Sequence, residues 1–225
     1  DGWVRAKGTT LGADNGLGVA TIMAILESKE IEHPAIEALF TIDEETGMTG
    51  ALGLKGGVLN GKILLNLDTE EDDELTIGCA GGLDVTAKRS YKEENTPNNH
   101  TSFTITVKGL NGGHSGMDIH KGLGNANKIM NRLIYGGNEI FGLRVSEING
   151  GSLRNAIPRE SVAVIVIPSQ NATAWKEEFE KNKSEIKFEF KTTEKNLTIE
   201  LTESPAPAKV MDVTVQKNLI RAIYT

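Results

Sequence analysis

Three carboxylates stand side by side in "FTIDEETGMTG", at Asp43, Glu44 and Glu45. Like charges this close raise one another's pKa unless a cation compensates. Acidic residues occupy comparable places elsewhere in the first third of the chain. Asp14 lies in "GADNG", just ahead of a helical pattern, and Asp68 ends "KILLNLD". In a parallel α/β sheet, ligands gather outside the carboxyl ends of the strands, so residues placed there by separate strands converge on one crevice. A divalent cation, or two, removes their repulsion. With two, one carboxylate can bridge the ions, and another left unligated can take a proton from activated water.

Taken singly, each residue has a plainer reading. Asp14 could be a helix cap or turn residue. Glu44 and Glu45 could be a solvated helix start favoured by the dipole. Asp68 leads into "TEEDDE", and such runs are commonly solvated loops. A calcium loop starting at Asp68 fails, because its glycine position is Asp73 and its twelfth position is Cys79. Gly12, Gly16 and Gly18 make no dinucleotide fingerprint, since the last glycine position is Thr21. His114 is flanked by Gly112, Gly113 and Gly116, where backbone can approach a ligand closely, or it is a loop histidine. Arg154 and Arg159 could grip a carboxylate bidentately or stay idle at the surface.

The elements that must hold these residues come in two textures. Residues 17–26 carry Leu17, Ala20, Ile22, Met23, Ile25 and Leu26 at helical spacing after a Gly-rich turn. Residues 35–42 read as a strand ending at Asp43, and residues 62–68 as a continuously apolar strand buried on both faces of a parallel sheet. That alternation predicts an α/β layer fold. After residue 80 the strands turn amphipathic, beginning with residues 83–91. From Ser102 the order is strand, helix (about 122–135), two strands ("GLRVSEING" and "ESVAVIVIP"), a polar helix from Ala172 and a strand region within 187–203. This is the β-α-β-β-α-β split of ferredoxin-like domains. A last helix is expected from about Val210. The organisation is therefore residues 1–80 as part of an α/β domain and 81–225 as an α+β domain.

The net charge of −7 argues against a nucleic-acid or anionic-membrane partner. No apolar run approaches the ~18 residues of a membrane span. The single cysteine, Cys79, excludes an internal disulfide framework and fits a reducing compartment, hence the cytoplasm. The opening "DGWVRAKGTTLGADNG" reads like the middle of a domain, and the last helix reads as cut short, so both ends are expected to continue.

Together, "GTTLGADNGLGVA", "FTIDEETGMTGA", "LLNLDTEEDDELTIGCAGG", "VKGLNGGHSGMDIHKGLGNANK" and "INGGSLRNAIPRES" resemble, in order and spacing, the zinc aminoacyl-histidine dipeptidases. These are Xaa-His dipeptidases of the co-catalytic metallopeptidase family that includes carnosinases. The resemblance implies an α/β catalytic domain and a ferredoxin-like lid and dimerisation domain. It implies two divalent metal ions, zinc with cobalt or manganese as alternatives, a small peptide substrate and a homodimer formed through the lid. Asp14 would bridge the metals, with a cis peptide bond to Asn15. Glu44 would be the general base, Glu45 a ligand of one metal and Asp68 of the other. His114 would reach a substrate carbonyl in the partner subunit's site, and Asn155 would also contact substrate from the lid.

The pattern also has gaps. The family's H-x-D motif precedes G-A-D-N-G, and a second histidine ligand follows residue 225. Without those imidazoles the chain alone is expected to bind zinc weakly and to be inactive. No arginine follows N-x-I-P in "VAVIVIPS", so the carboxylate clamp is unassigned. A tripeptidase or amidohydrolase of the same superfamily, or a non-catalytic dimerisation scaffold, remain the alternatives.

Overall fold

The computed structural model describes residues 2, 4–8, 11–69, 73–79 and 81–224. It divides into two compact units, residues 1–84 and 85–225. In the first, α1 (Gly16–Glu27) begins at Asn15, whose side-chain oxygen accepts from the Gly18 N–H at 2.8 Å. That bond satisfies one of the orphan donors of the first turn. Gly18 is buried because the Asn15 amide sits where a Cβ would point, 2.5 Å from it. The helix stops at Ser28, which turns extended while its N–H still reaches the Ala24 carbonyl. A second, short helix, α2 (Thr49–Gly53), is entered from Met48 in the left-handed region at φ 54.

The strands expected at 35–42 and 62–68 form no ladder among the described residues. A strand exists only against a hydrogen-bonded neighbour, and a run apolar on both sides needs cover on both faces. Neither is present here: Ile63, Leu64 and Leu65 are each about four-fifths exposed, at 83%, 78% and 80%. Residues 83–91 likewise form no strand.

The second unit begins with β1 (Glu93–Asn95), then β2 (His100–Lys108), α3 (Ala126–Gly136), β3 (Arg144–Gly150), β4 (Ser161–Pro168), α4 (Ala172–Glu189) and β5 (Thr198–Glu203). From β2 to β5 this is β-α-β-β-α-β, with spatial order β3-β4-β2-β5 and every pair antiparallel. The chain closes with β6 (Lys209–Met211), which pairs with β1, and α5 (Val213–Tyr224).

Period-two alternation places Phe103, Ile105 and Val107 of β2 and Ala163, Ile165 and Ile167 of β4 in the core. Ile129, Met130, Leu133 and Ile134 of α3 and Trp175, Phe179 and Ile186 of α4 join the same cluster. Trp175 lies between Phe103 and Phe179, with ring centroids 5.4 and 5.5 Å away. The strand region expected within 187–203 is shorter than it reads. Ile186 is buried and its carbonyl accepts from the Phe190 N–H, so α4 runs on through the alternating "KFEF". α5 docks through buried Gln216, which accepts from the Val145 N–H at 2.7 Å and donates to the Leu143 carbonyl at 2.8 Å. Among the described residues no helix is long and apolar enough to cross a membrane.

Candidate active site

Within the first unit, the sequence places Asp14, Glu44, Glu45 and Asp68 on three separate segments, and all four are exposed. The charges of Asp14, Glu44 and Asp68 nonetheless act on Glu45. The Glu45 carboxyl is held above its ordinary value, first by the charge of Asp14 and then by that of Glu44, with Asp68 adding to the same effect.

Asp43, the first of the three neighbouring acids, does something different. Its carboxylate turns back to accept from the hydroxyls of Thr46 and Thr49, the latter at 2.8 Å. These bonds pull its pKa below the usual carboxylate range. Its carbonyl accepts from the N–H groups of Gly47 and Met48. Asp43 itself sits at φ 63. The loop closes where the Gly50 N–H meets the Ile42 carbonyl at 3.2 Å, and a Cβ on Gly50 would lie 2.6 Å from the Ile42 nitrogen. Asp43 is thus a staple for the loop, and Glu44 and Glu45 remain as its outward carboxylates.

The helix cap is Asn15 rather than Asp14. Besides capping α1, its Nδ2 donates to the Leu67 carbonyl at 2.8 Å, 52 residues away. It therefore ties the Asp14 turn to the residue preceding Asp68. The Asp14–Asn15 peptide bond is cis, as the resemblance implies.

Oxygen donors from carboxylates suit a divalent cation by charge and hardness. Among the described residues, no three or more His, Cys, Asp or Glu side chains are drawn together closely enough to form a finished metal cage. The donor set fits a divalent ion in charge, and contains no imidazole.

The second unit holds His114 and Asn155 close together. His114 pairs with Ala156 in an isolated antiparallel bridge, and the Ser115 N–H donates to the Asn155 carbonyl at 2.8 Å. The Ile157 N–H closes the pairing on the Gly113 carbonyl at 2.8 Å. Glycines are required here by space: a Cβ on Gly112 would meet the Arg159 side chain at 2.5 Å, and one on Gly113 would meet Asp118 at 2.8 Å. Arg159 donates from its Nε to the Leu110 carbonyl at 3.1 Å, which fixes the side chain beside Gly112. Beside the bridge opens a cleft of about 760 Å³, lined by Ser115, Lys128, Gly151, Ser152, Arg154 and Ala156 among others.

Residues 102–194 match the family described as Peptidase dimerisation domain. The chain is 46% identical over 197 residues to the cytosol non-specific dipeptidase of Escherichia coli (strain K12), covering 88% of this chain and 41% of that protein. It is similar in structure to the aminoacylhistidine dipeptidase from Vibrio alginolyticus. That match has 44% identity and a TM-score of 0.72, and covers 100% of this chain and 46% of the other. The chain thus spans less than half the length of the relatives it matches.

Proposed function

We propose that this chain, which belongs to the metallopeptidase family of the aminoacylhistidine dipeptidases, serves metal-dependent hydrolysis of Xaa-His and related dipeptides. The observation that carries the proposal is the 46% identity, over 88% of this chain, to a dipeptidase; the negative charge that Asp14, Glu44 and Asp68 bring to bear on Glu45 supports it. Asp14, Glu45 and Asp68 would hold two divalent ions, zinc by preference, with Asp14 between them. When bound, such ions polarise a carbonyl and make water acidic enough to react near neutral pH. Glu44 stays outside the ligand set, takes the proton of the attacking water and returns it to the leaving amine. Residues 1–80 form part of the catalytic domain, and residues 81–225 the lid. His114 and Asn155 contact the substrate from the lid, and a homodimer formed through the lid brings His114 to the partner's site. The protein would work in the cytoplasm.

Two isosteric changes test the assignment in the protein that carries this chain. Glu44→Gln keeps shape and metal content while turnover of an Xaa-His dipeptide falls by roughly 10²–10⁴-fold. Glu45→Gln loses metal, measured by elemental analysis after dialysis. Equal metal retention and equal loss of activity in both variants would show the roles to be wrong. A wild-type protein that holds no metal would favour the scaffold reading.

A further inference from the structure

The ring of His114 is held by the turn that follows it. Its Nδ1 accepts two backbone N–H groups, from Gly116 and from Met117, each at 3.1 Å. Backbone amides can only donate, so Nδ1 must present its lone pair, and in the neutral ring the proton lies on Nε2. The turn that aims those two amides is fastened by Asp118. Asp118 Oδ2 accepts from the His114 N–H at 2.7 Å, and the Asp118 N–H donates to the His114 carbonyl at 3.0 Å. The other carboxylate oxygen pairs with Lys121 at 2.6 Å. The fit is close on both sides. Gly113 leaves room for the Asp118 carboxylate, and a Cβ on Gly116 would lie 3.4 Å from the imidazole Cε1 and Nδ1.

We propose that the turn at residues 114–118 locks His114 as its Nε2–H tautomer, with Asp118 as the positioning residue, so that the ring offers a fixed hydrogen-bond donor to the oxygen of a substrate carbonyl. The substrate clause rests on the reading of His114 given under Proposed function; the lock itself stands on the backbone geometry. A donor fixed in direction needs no reorganisation as negative charge grows on that oxygen, so it acts more on the transition state than on the bound substrate. A free ring would divide itself between two tautomers, one of which turns a lone pair toward the oxygen.

The tautomer can be read directly by two-bond ¹H–¹⁵N correlation on this chain with ¹⁵N-labelled histidine, at a pH where the rings are neutral. His114→Ala identifies the His114 signals among the four histidines. The lock requires an unprotonated Nδ1 and a protonated Nε2 for His114. Asp118→Ala should move His114 toward a mixture of tautomers while His33 and His100 keep their spectra. Asp118→Asn, which retains an acceptor for the His114 N–H, should largely restore the locked signature. A protonated Nδ1 in the wild-type chain overturns the proposal even if Asp118→Ala fails to fold. A folded Asp118→Ala chain with an unchanged His114 tautomer overturns the role of Asp118. Steady-state kinetics in the protein that carries this chain separate the substrate clause. Asp118→Ala should lower kcat by roughly tenfold or more, with KM changed far less. A locked ring whose removal in His114→Ala leaves turnover unchanged overturns the substrate role; an unlocked ring with turnover lost overturns the lock and leaves the reading of the site standing.

Discussion

Glu37 shows how a single exposed carboxylate organises chain without a sheet. One of its oxygens accepts from the N–H groups of Asn60 and Gly61 at 2.7 and 2.6 Å, and the other from the Asn60 side chain at 3.0 Å. These donors favour the charged form and hold the pKa below its ordinary value, the Asn60 side chain most of all. The folded pKa is therefore lower than the unfolded one. The linked stabilisation is present above the unfolded pKa and is lost as pH falls through the folded value. The Gly61 amide shift should titrate with a midpoint below that of an ordinary glutamate, and Glu37→Gln should abolish that titration. A midpoint at or above the ordinary value would contradict the bonding. Asn15 yields a second prediction at this scale. Asn15→Ser keeps a capping oxygen for α1 but is too short to reach the Leu67 carbonyl. Outer-shell changes of this kind typically cost roughly 10–100-fold in metal affinity. Calorimetric titration of the protein that carries this chain should show that loss while circular dichroism shows α1 intact. Unchanged affinity would mean that the tie between the Asp14 turn and Leu67 does not support the proposed metal ligands.

At the scale of elements, the sheet and its two helices make the second unit the repository of packing. Every member of the main core cluster lies between Phe103 and Ile220. Phe179 is fully buried on the inward stripe of α4, one turn from Trp175. Phe179→Ala should cost about 3–5 kcal/mol in urea unfolding monitored by Trp175 fluorescence. Glu177→Ala, on the exposed side of the same helix, should stay within about 0.5 kcal/mol. A loss under 1 kcal/mol for Phe179 would show the core to be looser than its burial implies. The same unit was the more legible one in the sequence. Its strands alternate cleanly because one face meets helices and the other does not, so Phe103, Ile105 and Val107 announce both the strand and its inward side. The boundary after Ile186 was obscure because "KFEF" alternates as well as any strand, whereas in the structure Ile186 is buried and its carbonyl accepts from the Phe190 N–H. In the first unit the apolar runs at 35–42 and 62–68 promised strands, but apolarity states only that a segment wants cover and a ladder. Neither is supplied among the described residues. Asp14, Glu44, Glu45 and Asp68 were legible as candidates because like charges on neighbouring segments share one physical problem. The supporting side chains were not legible: Asn15 acts through a carbonyl 52 residues away, Asp43 through hydroxyls within its own loop, and Asp118 through the backbone of His114.

At the scale of the whole molecule, the dimerisation-domain match and the proposed role of His114 make one joint prediction. In the protein that carries this chain, His114→Ala and Glu44→Gln homodimers should each be nearly inactive. Mixed in equal amounts and allowed to exchange subunits, they form heterodimers. If His114 serves the partner's site, both lesions in a heterodimer fall on the same site, and the other site has an intact base and an intact histidine. Random pairing makes about half of the dimers mixed, each with one working site of two, so roughly a quarter of wild-type activity should return under closed two-fold symmetry. If His114 served its own subunit, each heterodimer site would carry one lesion and nothing would return. Native mass spectrometry verifies the exchange independently, because the two variants differ in mass. Exchange without recovered activity would therefore place His114 within its own subunit's chemistry or outside the chemistry altogether. The tautomer spectrum separates a fault in the turn from these outcomes, since a His114 that acts on its own subunit would still show a locked ring.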